Sequence, residues 1–362
     1  LVSSAVKSNR SLQTVLKGGS QLETGKPGFL PFYERLIRRF LGYIVGEVLV
    51  SLFLGIAFFA VHYVCTGNRV FEDFSWFLSI LITVSMLCLY YATYTFRKII
   101  PEMNIRLQPE DAQVYLIPLQ VLLSDRNFIV AGLFFGISNC AFGYSFGLPV
   151  IQSTGVITIM GGYLLAGFIC GMAVFGIYGV SVAIIAFSGK AKSSFDFTSP
   201  DHCGGMQFLG EALVVFSSVT LIVGVLISIY ILKTDWIRES TWWIISLKGF
   251  WIIFPYAMSL IALVVPAVAT NKALTEYKMN QEMILQKHIT EIRTHLEGNT
   301  ISASEKDELR KEYEFQKNMR QDLHGMKTWP FGLNAILKYL AIFLPNLYAS
   351  VKTASVWIHK FF

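Results

Sequence analysis

Charge is what this chain has least of. Asp, Glu, Lys and Arg fill 15% of its 362 positions, against about 25% in soluble domains, while apolar residues fill 54%. A solvated globular surface built on that balance is excluded, and a bilayer is the solvent implied. Cysteine is sparse too. Cys65, Cys88, Cys140, Cys170 and Cys203 lack paired spacing, which argues against a disulfide framework, and three of them lie in apolar stretches as small hydrophobes. No Walker A loop, dinucleotide fingerprint, H-E-x-x-H or G-x-S-x-G occurs, so the common enzyme signatures are missing and no cofactor is called for. Membrane enzymes without such motifs remain open. There is no regular arginine series, no potassium-filter sequence and no pair of central intramembrane carboxylates. The chain opens on Leu1 and a polar run without the apolar core of a signal peptide, a start that fits processing, truncation or a beginning further upstream.

Long apolar runs are what the chain does have. A membrane helix needs about 20 mostly apolar residues, and the stretches at roughly 42–64, 74–96, 128–149, 156–187, 207–232 and 249–269 qualify. Alternating barrel-type patterning is absent, so these are predicted to be helices that satisfy their backbone groups internally. The expected fold class is an all-α, polytopic membrane protein of about six spans. Of the 30 Lys and Arg residues, 26 fall on one side of that topology and only Arg69, Lys233, Arg238 and Lys248 on the other. With "ERLIRRF" before the first span and "FRKII" after the second, this places both termini in the cytoplasm. The net charge of +6 then suits anionic headgroups, not nucleic acid, because no basic motif with interleaved aromatics accompanies it. Trp76, Trp236, Trp242 and Trp243 are placed like interfacial anchors, and Lys248 beside them is expected to snorkel to the outer surface, with a buried counter-ion or substrate ligand as the alternative.

Outside the six-span region, 1–41 reads as a cytoplasmic segment and 270–328 as a cytoplasmic helical hairpin. Leu285, Ile289, Ile292 and Leu296 recur at helical spacing, "EGNT" at 297–300 interrupts, and Ser302 with Glu305 matches a capping box that opens the second arm. The first arm, 271–297, would extend about 40 Å. Such a hairpin either packs on itself or docks neighbouring subunits or a cytoplasmic protein partner through 271–327. The last segment, 329–362, is either an amphipathic interfacial helix or a seventh span. Its lysines segregate from Leu337, Leu340, Leu344, Leu347 and Val351, which favours an interfacial helix kinked at Pro345. The 97–127 loop, with its prolines and "VYLIPLQVLL", reads as another membrane-surface element.

Residues able to carry chemistry inside the spans are few. Glu47 opens span one and Glu211 span five, both at the cytoplasmic end, where they are expected to stay wet or to form a vestibule for cations. His62 lies near the outer end of span one. Asn139 is the deepest strongly polar side chain, and Ser217, Ser218 and Thr220 form a hydroxyl cluster. Gly132-x3-Gly136 and Gly143-x3-Gly147 in span three, with Gly162, Gly167, Gly171, Gly176 and Gly179 in span four, suit close helix packing; broken helices along a substrate path are the sharper alternative.

The densest reactive cluster is "SPDHCGGMQF" at 199–208. Asp201, His202 and Cys203 are the only weak metal candidates, since three adjacent residues rarely converge on one ion. Pro200-Asp201 with Gly204 and Gly205 suits better a rigid turn that starts a helix. That Pro-Asp-x-x-Gly-Gly loop ahead of a span, together with Trp329-Pro330-Phe331 ahead of a C-terminal apolar segment, resembles uncharacterised prokaryotic polytopic membrane proteins; the resemblance rests on these short motifs and implies no activity. The expected function is an oligomeric channel-like or transport protein with a cytoplasmic gating or assembly element. The alternatives are a scaffold or accessory subunit whose hairpin binds a partner, and a membrane enzyme using 201–203.

Overall fold

A computed structural model describes residues 32–34, 44–72, 74–107, 124–145, 153–191, 195–233, 242–297 and 302–361. Of the surface element expected at 97–127, residues 97–105 continue a long helix and 108–123, with the "VYLIPLQVLL" stretch, lie outside the described residues, as do Trp236 and most of 1–41. The chain is all-helical, with no strand among the described residues. It runs α1 (Ile44–Thr66), a short α2 (Arg69–Glu72), α3 (Phe77–Ile105), α4 (Asp125–Ser145), α5 (Ser153–Lys190), α6 (Gln207–Lys233), α7 (Trp242–Glu297), α8 (Ala303–Gly325) and α9 (Leu333–Phe361). Helices α1, α3, α4, α5, α6 and α7 are long and apolar enough to cross a bilayer, which makes this a multi-pass integral membrane protein.

Span six differs most from its sequence-based limits. The expected span at 249–269 and the first hairpin arm form one helix of 56 residues, about 84 Å at 1.5 Å per residue. Pro255 and Pro266 lie within it, each removing one helical hydrogen bond. Beyond the apolar part it pairs with α8. Leu285 and Ile292 are buried on the packed face, with Ile289 and Leu296 half-buried beside them. Ser302 Oγ accepts from the Glu305 amide at 3.3 Å, so the predicted cap opens α8. At the other end of α8, Lys278 Nζ donates to the carbonyls of His324 (2.9 Å) and Met326 (2.8 Å). A cation there meets both the orphan carbonyls and the negative pole of the helix.

The C-terminal helix continues through Pro345. Its contacts run lengthwise along the spans: Pro330 sits on Gly210, Tyr339 and Phe343 pack with Leu221 and Tyr256, and Ser350 pairs with Tyr256 Oη at 2.8 Å. Thus α9 runs parallel to α6 and antiparallel to α7. Tyr339 donates to Ser259 (2.8 Å), which donates to the Ser217 carbonyl (2.8 Å), so the Tyr339 hydroxyl finds its partners inside the bundle.

Two further residues sit differently from expectation. Lys248 is not at the surface: it is 4% exposed, on the same stripe as buried Ile244, Ile252 and Tyr256, and this helical register turns it inward. Glu47 is buried as well, on a stripe of α1 with Ser51, Gly55 and His62, whereas Val45, Val48, Leu49, Leu52, Phe53 and Ile56 face outward. Helix α1 therefore turns its small and polar residues inward and its apolar ones toward lipid, the arrangement a bilayer solvent permits.

Candidate functional site: a core cavity and a tethered loop

Helices α4 and α5 cross closely because glycine removes the side chains between them. A Cβ built on Gly136 would lie 2.8 Å from the Leu164 carbonyl, one on Gly171 2.7 Å from the Ala131 carbonyl, and one on Gly167 2.8 Å from the Gly136 Cα. Both helices are unbroken here, so the glycines serve packing. Next to this seam the bundle is underfilled. A cavity of about 120 Å³ lies between α3, α4, α5, α6 and α7, lined by Ser85, Asn139, Tyr163, Cys170, Thr220 and Tyr230 among many apolar residues, and by no charged side chain. Asn139 Nδ2 donates to the Tyr163 carbonyl at 2.9 Å. Tyr163 and Tyr230 meet hydroxyl to hydroxyl at 3.0 Å, and Thr220 Oγ1 donates to the Phe216 carbonyl at 2.9 Å. Of the sequence candidates, Asn139 and Thr220 therefore share one cavity. Ser217 is buried but does not line the cavity, and its Oγ has no hydrogen-bond partner among the described residues. Ser218 is half-buried. Glu211 is exposed and accepts from Gln207 Nε2 at 3.1 Å.

The 199–208 loop forms a second, separate constellation. Asp201 Oδ1 accepts from the amides of Cys203 and Gly205 (both 2.9 Å) and Oδ2 from that of Gln207 (3.1 Å). Burial pushes its carboxyl upward, but these amides and the Ser199 hydroxyl more than offset that and hold it below the ordinary carboxylate value. His202, Gly204 and Gly205 all take positive φ. A Cβ on Gly205 would meet the Arg106 guanidinium, which would have to move aside, and the positive φ there disfavours a side chain as well. His202 is exposed, and its carbonyl accepts the Lys327 amide at 2.7 Å. Cys203 is buried, and its thiol donates to the Trp329 carbonyl at 3.4 Å; burial, then the neighbouring Asp201 charge, push it up, away from a reactive thiolate. Both Asp201 oxygens are thus committed to amides. Among the described residues no three His, Cys, Asp or Glu side chains converge as metal ligands.

The loop is a tether. Lys327 and Trp329 bind it, Gly210 carries the Pro330 carbonyl at contact, and Asn271 Nδ2 reaches Thr328 Oγ1 at 3.2 Å. The two short motifs, Pro200-Asp201-x-x-Gly204-Gly205 and Trp329-Pro330-Phe331, meet in space and lock the start of α6 to α7, α8 and α9.

Sequence reasoning missed one further group. Residues 32–34 tuck against the bundle, where Glu34 (0% exposed) pairs with Arg97 at 3.0 Å and Tyr33 donates to Thr93 Oγ1 at 2.9 Å. The donor is Tyr33 because the Thr93 hydroxyl donates to the Leu89 carbonyl. "PFYE" offered only its aromatic and acidic composition as a signal, and Arg97 read simply as a topogenic charge. At the opposite end of α1, His62 is enclosed, its ring nitrogens facing Thr158 Oγ1 (2.7 Å) and Ser75 Oγ (2.9 Å). Comparisons with family models, curated proteins and solved structures found no match to this chain.

Proposed function

We propose that this chain is a channel-like or transport protein, with both termini and the hairpin in the cytoplasm, whose cargo path includes the cavity between α3 and α7. The observation that carries this reading is the continuity of α7. One helix lines the cavity at Trp251, Phe254, Pro255 and Met258 and then runs unbroken into the hairpin. Motion of the hairpin is thereby transmitted to the cavity wall, with compliance at the two proline positions. The uncharged lining supports an uncharged cargo over a bare ion, since an ion there would lose its hydration with no opposite charge to replace it. Assembly into a homo-oligomer belongs to the same proposal, with the outward apolar face of α1 available to lipid or to a second copy.

The test is reconstitution into vesicles with potassium, chloride, glycerol and a short-chain fluorescent lipid analogue as probes. Uncharged cargo moving faster than in protein-free vesicles, at a rate altered by Gly205→Ala, is the expected result. No acceleration of any of the four probes overturns the reading. A scaffold role is favoured by a different observation: Met279, Met283 and Ile284 on the first arm are 55, 69 and 47% exposed, an adaptable apolar surface suited to a partner. A stoichiometric protein partner recovered in mild detergent, lost on Met283→Glu, would support that role instead.

A further inference from the structure

We propose that the core cavity binds one small neutral hydroxylated molecule, of at most about six non-hydrogen atoms, such as a short polyol. This rests on the transport reading and narrows its cargo to one size and one chemistry.

Volume sets the size. The cavity measures about 120 Å³, whereas an apolar cavity of about 150 Å³ in an engineered protein takes up a single benzene, and drug-sized ligands fill pockets of about 300–1,000 Å³. Nucleotides, flavins and whole acyl chains are too large for it. One compact molecule is admitted.

Charge and polarity set the chemistry. No lining side chain is charged, so an ion would surrender its hydration without compensation. The wall instead offers acceptors. Asn139 Nδ2 is spent on the Tyr163 carbonyl at 2.9 Å, while its carboxamide oxygen accepts no bond from the described residues. Thr220 gives its only proton to the Phe216 carbonyl at 2.9 Å and keeps its oxygen lone pairs. A guest must therefore donate, which a hydroxyl does without carrying charge. A hydrocarbon of equal size would leave the Asn139 oxygen unsatisfied.

These acceptors lie at separate levels. Asn139 is level with the Tyr163 backbone through its bond to that carbonyl, and Tyr163 meets Tyr230 hydroxyl to hydroxyl. Thr220 precedes Tyr230 by ten residues on α6, which places it about 15 Å nearer the hairpin at 1.5 Å per residue. Between the levels the wall is mostly apolar, with the Cys170 thiol against Ser85 Oγ at 3.9 Å. A guest of this size reaches one acceptor at a time. Passage requires such weak binding at more than one place.

The test photolyses a methyl diazirine bearing one hydroxymethyl group, a probe within the size limit, with the full chain in phosphatidylcholine nanodiscs, and maps adducts by peptide mass spectrometry. Adducts are expected on the 139–143, 163–173 and 220–230 stretches, reduced at least tenfold by molar glycerol and unchanged by sucrose at the same concentration. Val223→Phe and, independently, Ala173→Leu fill the space and should abolish these adducts without lowering the melting temperature. Asn139→Leu should remove the adducts at its own level and spare those beside Thr220. Adducts confined to lipid-facing residues such as Phe53, Ile56 and Ile137, adducts that glycerol does not reduce, or equal competition by sucrose overturn the site. Because binding is read without flux, absence of competed adducts with glycerol transport intact removes this inference alone, whereas competed adducts without transport of any probe remove the transport reading alone.

Discussion

The hairpin-facing end of the bundle and its centre are held together by opposite means. At the hairpin end, position is over-determined: Asp201 takes three backbone amides, Lys278 caps α8, and Arg97 faces Glu34 across an ion pair. At the centre, glycine seams bring backbones into contact while a cavity stays unfilled beside them. Polar groups fix direction and hold a junction in one geometry; apolar packing tolerates changes of volume. The lesson is that reactive side chains concentrate where polar bonds fix the geometry, and that the unfilled volume lies where they are scarce.

Five perturbations test that contrast. Arg97→Ala, which removes the cation opposite a fully buried carboxylate, should cost the most, about 3–5 kcal/mol in detergent unfolding. The double variant Glu34→Met, Arg97→Met should recover most of that loss. Asp201→Ala is expected to cost about 2–3 kcal/mol, because three backbone amides lose a charged acceptor; a loss as small as that of an exposed carboxylate would dissolve the distinction between the two regions. A pH series sharpens the same point. The folded carboxyl of Asp201 lies below the ordinary value of 3.8, so its stabilising share is fully present above 3.8 and is lost as pH falls through the lower folded value. The melting-temperature gap between native protein and Asp201→Asn should accordingly be constant near neutrality and shrink in strong acid. Val223→Phe, at the centre, should change stability least, by less than about 1 kcal/mol and in the favourable direction, since it adds apolar contacts to vacant space.

The spans were legible because a bilayer demands about 20 apolar residues in succession and local composition records that demand. The start of α8 was legible because a cap is a local device, Ser302 acting on an amide three residues away. Features that depend on which face of a helix meets which neighbour were not. Lys248 carries the composition of a surface residue, yet its register with Ile244 and Ile252 turns it inward. Glu34 and Arg97 lie 63 residues apart, and no local pattern pairs them. The 199–208 loop was half-readable: its glycines and Asp201 announced a turn, but the partners that make it a junction come from 326–330, far along the chain. The cavity was unreadable, because vacant volume leaves no trace in a list of side chains.

The distance between Cys203 and Trp329, 126 residues, also governs how the molecule is made. At about 5–20 residues per second, a ribosome needs roughly 6–25 s to deliver Trp329 after Cys203 has emerged. Throughout that interval the first turn of α6 lacks its permanent neighbours, and Gly210 offers bare backbone to whatever is nearby. Insertion of α6 therefore precedes its final anchoring. Nascent chains arrested shortly before Lys327 should display the 201–207 turn as a protease-sensitive site, and synthesis through α9 should protect it.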